Sequence, residues 1–233
     1  MAGKSSPKGT LALIGGGEWG EHHQTLDKRL LEASGADRVV VLPTAAAFEH
    51  PDRVGEAAAA HFGPLGVKVD VVRALNRRDA EDDANVKAVA KADFVYLADG
   101  SPMHLRSVLK SSPLFEAMIE AYRRGAVIAA SGAGATVLCD PMVDPRGGAY
   151  TVGLGFVTGL AVFPYHGTAA EHLRQRSIEL KPPDAILVGV DEETALVREP
   201  GPEWSVAGAG QVTVYGADGT ATYAAGATGL ALP

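Results

Sequence analysis

A run of small residues between positions 126 and 135 matches the pattern of a nucleophile elbow. Its sequence, AVIAASGAGA, is a short apolar stretch followed by alternating alanines and glycines. Such elbows follow Gly-x-Ser-x-Gly, in which a sharp, strained turn between a strand and a helix presents the serine. Here Ala130 and Gly134 flank the central position, which is Gly132. Because glycine has no hydroxyl, the pattern predicts the scaffold of a serine hydrolase without its nucleophile.

A second glycine-rich segment, Gly15-Gly16-Gly17, follows the first apolar run of the chain. It lacks the Gly-x-Gly-x-x-Gly spacing of dinucleotide-binding loops, and no Gly-Lys-Ser/Thr follows it. We interpret it as a tight turn beside a pocket, in which Gly17 and Glu18 would line the cavity. No cofactor is expected at this loop.

The elements that must position these loops alternate between apolar runs and helical segments. Strands are predicted over residues 11–14, 38–42, 67–72, 94–97, 126–130, 186–190, 194–198 and 211–215, and helices over 26–33, 53–62, 104–109 and 113–124. The segment 76–92 is predicted to be polar at its start and then helical. Continuous apolar strands that alternate with helices are typical of a parallel sheet covered on both faces. We therefore predict a three-layer α/β fold with a mostly parallel sheet. Its ligand site would lie beyond the carboxyl ends of the strands, at residues 15–19, 99–103 and 131–135.

Length and composition favour one globular domain. The chain has 233 residues, of which 46% are hydrophobic and 21% charged, as in ordinary globular proteins. We predict a flexible N-terminus over residues 1–9 and a single α/β domain over residues 10–233.

Charge and hydropathy exclude several classes of partner. The formal net charge of −7 argues against nucleic-acid binding, which needs clustered basic residues. No apolar stretch is long enough to span a bilayer, and no hydrophobic signal segment follows the N-terminus. The single cysteine, Cys139, rules out an intrachain disulfide. We therefore expect a cytoplasmic protein with no membrane partner.

The remaining cysteine and histidines suggest no metal site. No His/Cys/Asp spacing is typical of zinc ligands, so we expect no metal. Cys139 is predicted to lie in the helix after the elbow as an inert, buried thiol. His61 and His172 are predicted on helix surfaces.

Several segments together resemble the cyanophycinase / dipeptidase E (aspartyl dipeptidase) family of serine peptidases. The resemblance covers about residues 11–215 and is carried by LIGGGE, ADGSP followed by HLR, PL with AYRRG, the elbow ASGAGATVLCDPMVDPRGG, GLGF and GVDEETA. It implies a class I glutamine amidotransferase-like fold, and it makes a homodimer an expected assembly.

The resemblance also implies three departures from the catalytic pattern of that family. The position of the nucleophilic serine falls on Gly132, and that of the catalytic histidine falls on Tyr165. Asp99 takes the place of an oxyanion-hole glycine, where its carboxylate would repel a developing oxyanion. Loss of one triad member alone lowers the rate by about 10⁴- to 10⁶-fold. We therefore expect ordinary peptidase activity to be absent.

Three functions remain open from the sequence. The first is a degenerate family member that keeps a pocket for a small molecule or peptide, for binding or for a repurposed reaction. That pocket would be lined by Gly17, Glu18, Asp99, Gly100, Ser101, Gly132, Ala133, Tyr165 and Glu192. The second is an active serine hydrolase on acidic or cyanophycin-like peptides, with Ser131 as nucleophile and His166 as base. It requires these two side chains to meet within about 3 Å. The third is a structural or interaction role.

Overall fold

The computed structural model describes residues 9–144, 146–217 and 219–233. The helices are α1 (His23–Ser34), α2 (Pro51–Phe62), α3 (Asp83–Lys91), α4 (Pro102–Leu109), α5 (Pro113–Arg124), α6 (Ala133–Leu138) and α7 (Glu171–Glu179). The strands are β1 (Thr10–Ile14), β2 (Arg38–Leu42), β3 (Lys68–Val71), β4 (Phe94–Leu97), β5 (Val127–Ser131), β6 (Cys139–Asp140), β7 (Met142–Asp144), β8 (Ala149–Thr151), β9 (Val157–Thr158), β10 (Leu160–Phe163), β11 (Ile186–Val190), β12 (Thr194–Arg198), β13 (Ser205–Gly208), β14 (Gln211–Gly216) and β15 (Gly219–Ala224).

A seven-stranded sheet in the order β13-β12-β1-β5-β4-β2-β3 forms the centre of the fold. The five strands from β1 to β3 in this order pair in parallel, and β12 and β13 add antiparallel strands at one edge. This arrangement confirms the predicted α/β fold with a mostly parallel sheet. It also places the carboxyl ends of β1, β4 and β5 side by side, so the three loops predicted to form the site leave neighbouring strands.

Side chains of the central strands alternate between two separate hydrophobic layers. On β1, Leu11 and Leu13 pack into the layer that also contains buried residues of α3, α4 and α5. Ala12 and Ile14 face the opposite layer, to which α1 and α2 contribute. Successive residues of a strand point to opposite faces, and both faces of β1 are apolar. The sheet is therefore buried between two layers of helices.

A second, four-stranded sheet in the order β10-β11-β14-β15 follows the central domain in the chain. A small apolar cluster on one of its faces contains Phe163 and Leu187, with Leu173 of α7 and Tyr215 packed against it. The sheet matters for function because β10 leads directly into Tyr165 and His166.

Several predicted boundaries move for local reasons. The segment 76–92, predicted to be polar and then helical, becomes helical as α3 at Asp83, because the side chain of Asp82 caps this helix by accepting hydrogen bonds from the N–H groups of Ala84 and Asn85. The prediction that Cys139 lies in the helix after the elbow is wrong, since α6 ends at Leu138. Cys139 instead begins β6, where burial raises the pKa of its thiol to about 12.

Three other expectations from the sequence concern the N-terminus, membrane-spanning helices and metal sites. Residues 1–8 of the predicted flexible N-terminus lie outside the described residues, and Gly9 is buried. Within the described ranges, no helix combines the length and apolar character needed to cross a membrane. The same ranges contain no group of three or more His, Cys, Asp or Glu residues arranged to hold a metal ion.

A buried hydrogen bond joins α1 to α2 beneath the sheet. The Nε2 atom of His61 lies 2.7 Å from Oδ2 of Asp27, whose side chain is fully buried. The prediction that His61 lies on a helix surface is therefore wrong, although His172 on α7 is exposed. The helical periodicity of the sequence could not show that His61 on α2 meets the carboxylate of Asp27 on α1.

Replacing His61 should destabilise the fold markedly. In His61→Ala the buried carboxylate of Asp27 loses its nearest hydrogen-bond partner, and breaking a buried pair in this way costs about 3–5 kcal/mol. Chemical denaturation should show this loss, whereas the exposed control His172→Ala should stay within about 0.5 kcal/mol of the parent protein. Equal stabilities of the two variants would contradict a structural role for the His61–Asp27 contact.

Candidate active site

The elbow is formed by β5, a single strained residue and α6. Gly132 lies between them with φ +47° and ψ −103°, a left-handed conformation that strongly favours glycine. Its N–H donates to the carbonyl oxygen of Ile14 on the neighbouring strand, at 3.0 Å. The turn therefore keeps the geometry of an elbow, and the residue at its apex has no side chain.

The carboxylate of Asp99 fills the space in front of the elbow. Its Oδ1 atom accepts hydrogen bonds from the N–H groups of Gly100 and Ala133, each at 2.6 Å. Its Oδ2 atom accepts a hydrogen bond from the hydroxyl of Tyr165. Two backbone N–H groups that converge on one negatively charged oxygen have the geometry of an oxyanion hole. Here the protein's own carboxylate occupies that hole.

The same carboxylate occupies the volume that a nucleophile would need. A Cβ atom built on Gly132 would overlap the Cγ and both oxygen atoms of Asp99. A glycine at the apex and an aspartate at position 99 are therefore compatible, whereas any larger residue at the apex would have to displace the carboxylate.

Glu18 connects the loop after β1 to the elbow. Its Oε1 accepts a hydrogen bond from the N–H of Asp99 at 2.9 Å, and its Oε2 accepts one from the hydroxyl of Ser131 at 2.6 Å. Ser131 is fully buried. Glu18 thus turns the hydroxyl of Ser131 towards a carboxylate and fixes the backbone of Asp99.

Tyr165 reaches the elbow from the second sheet. It has a left-handed φ of +55°, and its N–H donates to the carbonyl oxygen of Gly15 at 2.7 Å. Burial and the negative charge of Asp99 hold the pKa of the Tyr165 hydroxyl well above its ordinary value. The hydroxyl therefore stays protonated and donates to Asp99, where the family pattern has a base that accepts a proton.

His166 points away from the elbow. Its Nε2 lies 2.9 Å from the hydroxyl oxygen of Tyr215, and its Nδ1 lies 3.6 Å from Oδ1 of Asp191. Burial lowers the pKa of His166, and the nearby charge of Asp191 opposes this shift. In the described residues Ser131 and His166 have different hydrogen-bond partners, so the contact that the alternative hydrolase requires is not formed.

Three other predicted site residues support the loops. Ser101 caps α4 through its side-chain oxygen, which accepts a hydrogen bond from the N–H of His104 at 3.4 Å. Gly17 has a left-handed φ of +69° and lies beside Glu192, because a Cβ atom on Gly17 would be 3.6 Å from that of Glu192. The sequence analysis missed Tyr215, which no motif connects to His166.

The chain matches the family model described as peptidase family S51 over residues 11–201. Its curated relatives include the cyanophycinase of Synechococcus elongatus, 27% identical over 224 residues that cover 90% of this chain and 69% of that protein. Another is the cyanophycinase of Nostoc sp. (strain PCC 7120), 26% identical over 92% of this chain and 76% of the relative.

Solved structures agree with this match. A peptidase from an acI-B1 Actinobacterium superposes with a TM-score of 0.87 at 27% identity, covering 96% of this chain and 97% of the other. A putative peptidase E protein from Listeria monocytogenes shares the fold, with a TM-score of 0.62 at 15% identity over 93% of this chain and 98% of the other. The family model covers the elbow, its neighbouring loops and every strand of the central sheet except β13. The resemblance inferred from the sequence is therefore confirmed: the chain belongs to peptidase family S51.

Proposed function

We propose that this protein has lost the serine peptidase chemistry of its family and uses the elbow cleft to bind a small molecule or peptide, or to run a repurposed reaction. The observation that carries the proposal is the position of the Asp99 carboxylate, which accepts hydrogen bonds from Gly100, Ala133 and Tyr165. Gly132, which the carboxylate faces, supplies no nucleophile.

The energetics of the hole favour this proposal. In acyl transfer, the carbonyl oxygen of the substrate must sit in the oxyanion hole, where the N–H groups stabilise the negative charge that develops on it. The carboxylate of Asp99 already holds those donors, and hydrogen bonds to a charged group are worth about 1.5–3 kcal/mol each. A neutral carbonyl oxygen would have to displace a charged one. The absence of a hydroxyl at the apex adds to this obstacle.

The partly exposed residues around the elbow have polar side chains, which favours a small polar ligand. Glu18, Asp99, Tyr165 and Glu192 are each partly exposed, so a ligand can reach them. The relatives are named for cyanophycin, so peptides and amino-acid derivatives of that kind are the first ligands to test.

Two alternatives follow from the family match and are separable by experiment. One is an active hydrolase on acidic or cyanophycin-like peptides that uses Ser131 and His166. It would require the Ser131 hydroxyl to leave Glu18 and the His166 ring to leave Tyr215. The other is a structural or interaction role, with a homodimer as its simplest form.

A fluorophosphonate probe tests the loss of hydrolase chemistry. We expect no covalent labelling of the protein in intact-mass measurements and no hydrolysis of cyanophycin or β-aspartyl dipeptides above the rate without protein. Labelling that disappears in Ser131→Ala would contradict the proposal and favour the active hydrolase.

Ligand binding is tested separately by thermal shift. A peptide or amino-acid derivative that raises the unfolding temperature of the parent protein, but not of Tyr165→Phe, would support a ligand cleft at the elbow. If screening finds only ligands that stabilise both proteins equally, the cleft is not their binding site and the interaction role gains support.

A further inference from the structure

A second constellation of reactive side chains lies next to the elbow cleft but uses none of its hydrogen-bonding groups. We propose that Tyr215 is a base-activated phenol, held by His166 and Asp191, that accepts a phosphoryl or sulfonyl group from a tetrahedral electrophile. The proposal concerns a separate site and does not depend on the function proposed for the elbow.

The three side chains stand in the order hydroxyl, imidazole, carboxylate. The hydroxyl oxygen of Tyr215 lies 2.9 Å from Nε2 of His166, and Nδ1 of the same ring lies 3.6 Å from Oδ1 of Asp191. A hydroxyl backed by an imidazole that a third group orients is the arrangement that activates nucleophiles in covalent catalysis. The Oδ1 atom of Asp191 is buried and has no hydrogen-bond partner among the described residues, so its charge acts on the imidazole across the 3.6 Å gap.

Glycines make the room for this arrangement. A Cβ atom on Gly189 would overlap the ring of His166, so the imidazole lies directly against the backbone of β11. A Cβ atom on Gly167 would be 3.0 Å from Oδ1 of Asp191, and one on Gly210 would be 2.9 Å from Cβ of Asp191. Larger residues at these three glycines would therefore push the imidazole or the carboxylate out of position.

The charges around the site suit proton removal from the phenol. Burial lowers the pKa of His166, so its ring is neutral near pH 7 and free to accept a proton. Burial raises the pKa of Tyr215, which makes assistance by a base necessary, whereas the charge of Arg174 lowers it. Three charged groups face His166 and Tyr215. Asp191 lies just before β12, and both Glu171 and Arg174 lie on α7.

Arg174 is the cation near the phenol, and its charge lowers the pKa of Tyr215. Its guanidinium donates to the carbonyl oxygen of His166 at 3.1 Å and also pairs with Glu171. Because Tyr215 is partly exposed, a tetrahedral group with negatively polarised oxygens can approach the phenol beside this cation. A guanidinium is well suited to bind such oxygens.

The chemical step is a substitution at a sulfur or phosphorus atom that carries a leaving group: the bond to the phenol oxygen forms, the bond to the leaving group breaks, and the leaving group departs with the bonding electrons. With an arylsulfonyl fluoride, the bond between the phenol oxygen and sulfur forms, and the sulfur–fluorine bond breaks. Fluoride leaves with the bonding electrons, the phenolic proton passes to Nε2 of His166, and the imidazolium then returns it to solvent. The product is a sulfonate ester on Tyr215.

Labelling with an arylsulfonyl fluoride, followed by peptide mapping, tests the proposal. Tyr223, a partly exposed tyrosine on the neighbouring strand β15, serves as the internal reference phenol. We expect Tyr215 to be labelled at least about tenfold faster than Tyr223, and His166→Gln to slow labelling at Tyr215 by about 10²-fold or more, as expected for loss of a general base. Asp191→Asn should give a smaller loss.

The pH profile of the parent protein provides a second readout without any substitution. Labelling at Tyr215 should fall as the pH drops through the lowered pKa of His166, because the protonated ring cannot accept the phenolic proton. Labelling at Tyr223 should show no such step. Equal labelling rates at the two tyrosines, or an unchanged rate at Tyr215 in folded His166→Gln, would overturn the proposal. Cleavage at Asp218 puts Tyr215 and Tyr223 on separate peptides, whereas trypsin leaves them together, since no lysine or arginine follows Arg198. Modification of Ser131 would be detected on a third peptide and would bear only on the elbow.

Discussion

Gly132→Ser is expected to give a less stable protein that still has no peptidase activity. The backbone at position 132, with φ +47° and ψ −103°, would strain any residue other than glycine. The added Cβ atom would also overlap the carboxylate of Asp99. The new side chain must therefore expel this carboxylate from the hydrogen bonds that Gly100 and Ala133 donate to it.

Backbone strain and the loss of these hydrogen bonds both lower the stability of the variant. Strain at such a position costs about 1–3 kcal/mol, and each buried group left without its partner costs about 1–3 kcal/mol. We therefore expect a loss of at least about 3 kcal/mol, which in a chain of this length lowers the unfolding temperature by roughly 10 °C. Peptidase activity should stay absent even so, because the displaced carboxylate remains on the loop after β4 and would repel a developing oxyanion.

Thermal unfolding and fluorophosphonate labelling measure the two parts of this prediction. Gly35→Ser is the matched control, because Gly35 has a similar φ of +63° and open space where its Cβ would lie. The excess destabilisation of Gly132→Ser over Gly35→Ser reports the clash with Asp99 together with the extra backbone strain at Gly132, whose ψ is −103° where that of Gly35 is 16°. Appreciable peptide hydrolysis by Gly132→Ser would show that our interpretation of Asp99 and Tyr165 is wrong.

The sequence alone predicts those elements that form from local patterns, above all the buried strands of the central sheet. The apolar runs that form β1, β2, β4 and β5 were assigned correctly because each is buried on both faces and needs no knowledge of its partners. The parallel order of these strands then brings the loops at Gly132 and Asp99 together. Neighbouring strands in a parallel sheet end at the same edge, so their contact follows from the pattern.

Contacts that depend on tertiary packing could not be obtained in this way. Tyr165 and His166 differ by one position, and adjacent residues at a strand end point in different directions. The turn after β10 decides their contacts: Tyr165 has a φ of +55° and its N–H donates to Gly15, so the tyrosine meets Asp99, whereas the histidine meets Tyr215. The contact between His61 and Asp27 was missed because it depends on how two helices cross.

Removing the Asp99 carboxylate by substitution is the first step in a test of whether hydrolase chemistry can be built at this elbow. Combining Gly132→Ser with Asp99→Gly removes the group that fills the hole and leaves the N–H groups of Gly100 and Ala133 free for an oxyanion. The hydroxyl of Tyr165 reaches the same carboxylate, so Tyr165→His would place an imidazole beside the apex. We therefore expect the triple variant to carry a nucleophile, a base and an oxyanion hole at the positions that the sequence resemblance implies for them.

We expect this triple variant to react with a fluorophosphonate at position 132 at least about 10²-fold faster than Gly132→Ser alone. A single oxyanion-hole donor is worth about 10²–10³ in rate, and triad members act as a unit whose parts contribute little separately. Because an oxyanion hole contributes to the rate even where a triad member is missing, the double variant without Tyr165→His should react at a rate between those of Gly132→Ser and the triple variant. Circular dichroism verifies that each variant is folded, and peptide mapping locates the label. If the folded triple variant reacts no faster than the single one, Asp99 and Tyr165 are not what keeps this elbow silent, and the cause must lie in parts of the cleft that these three substitutions leave unchanged.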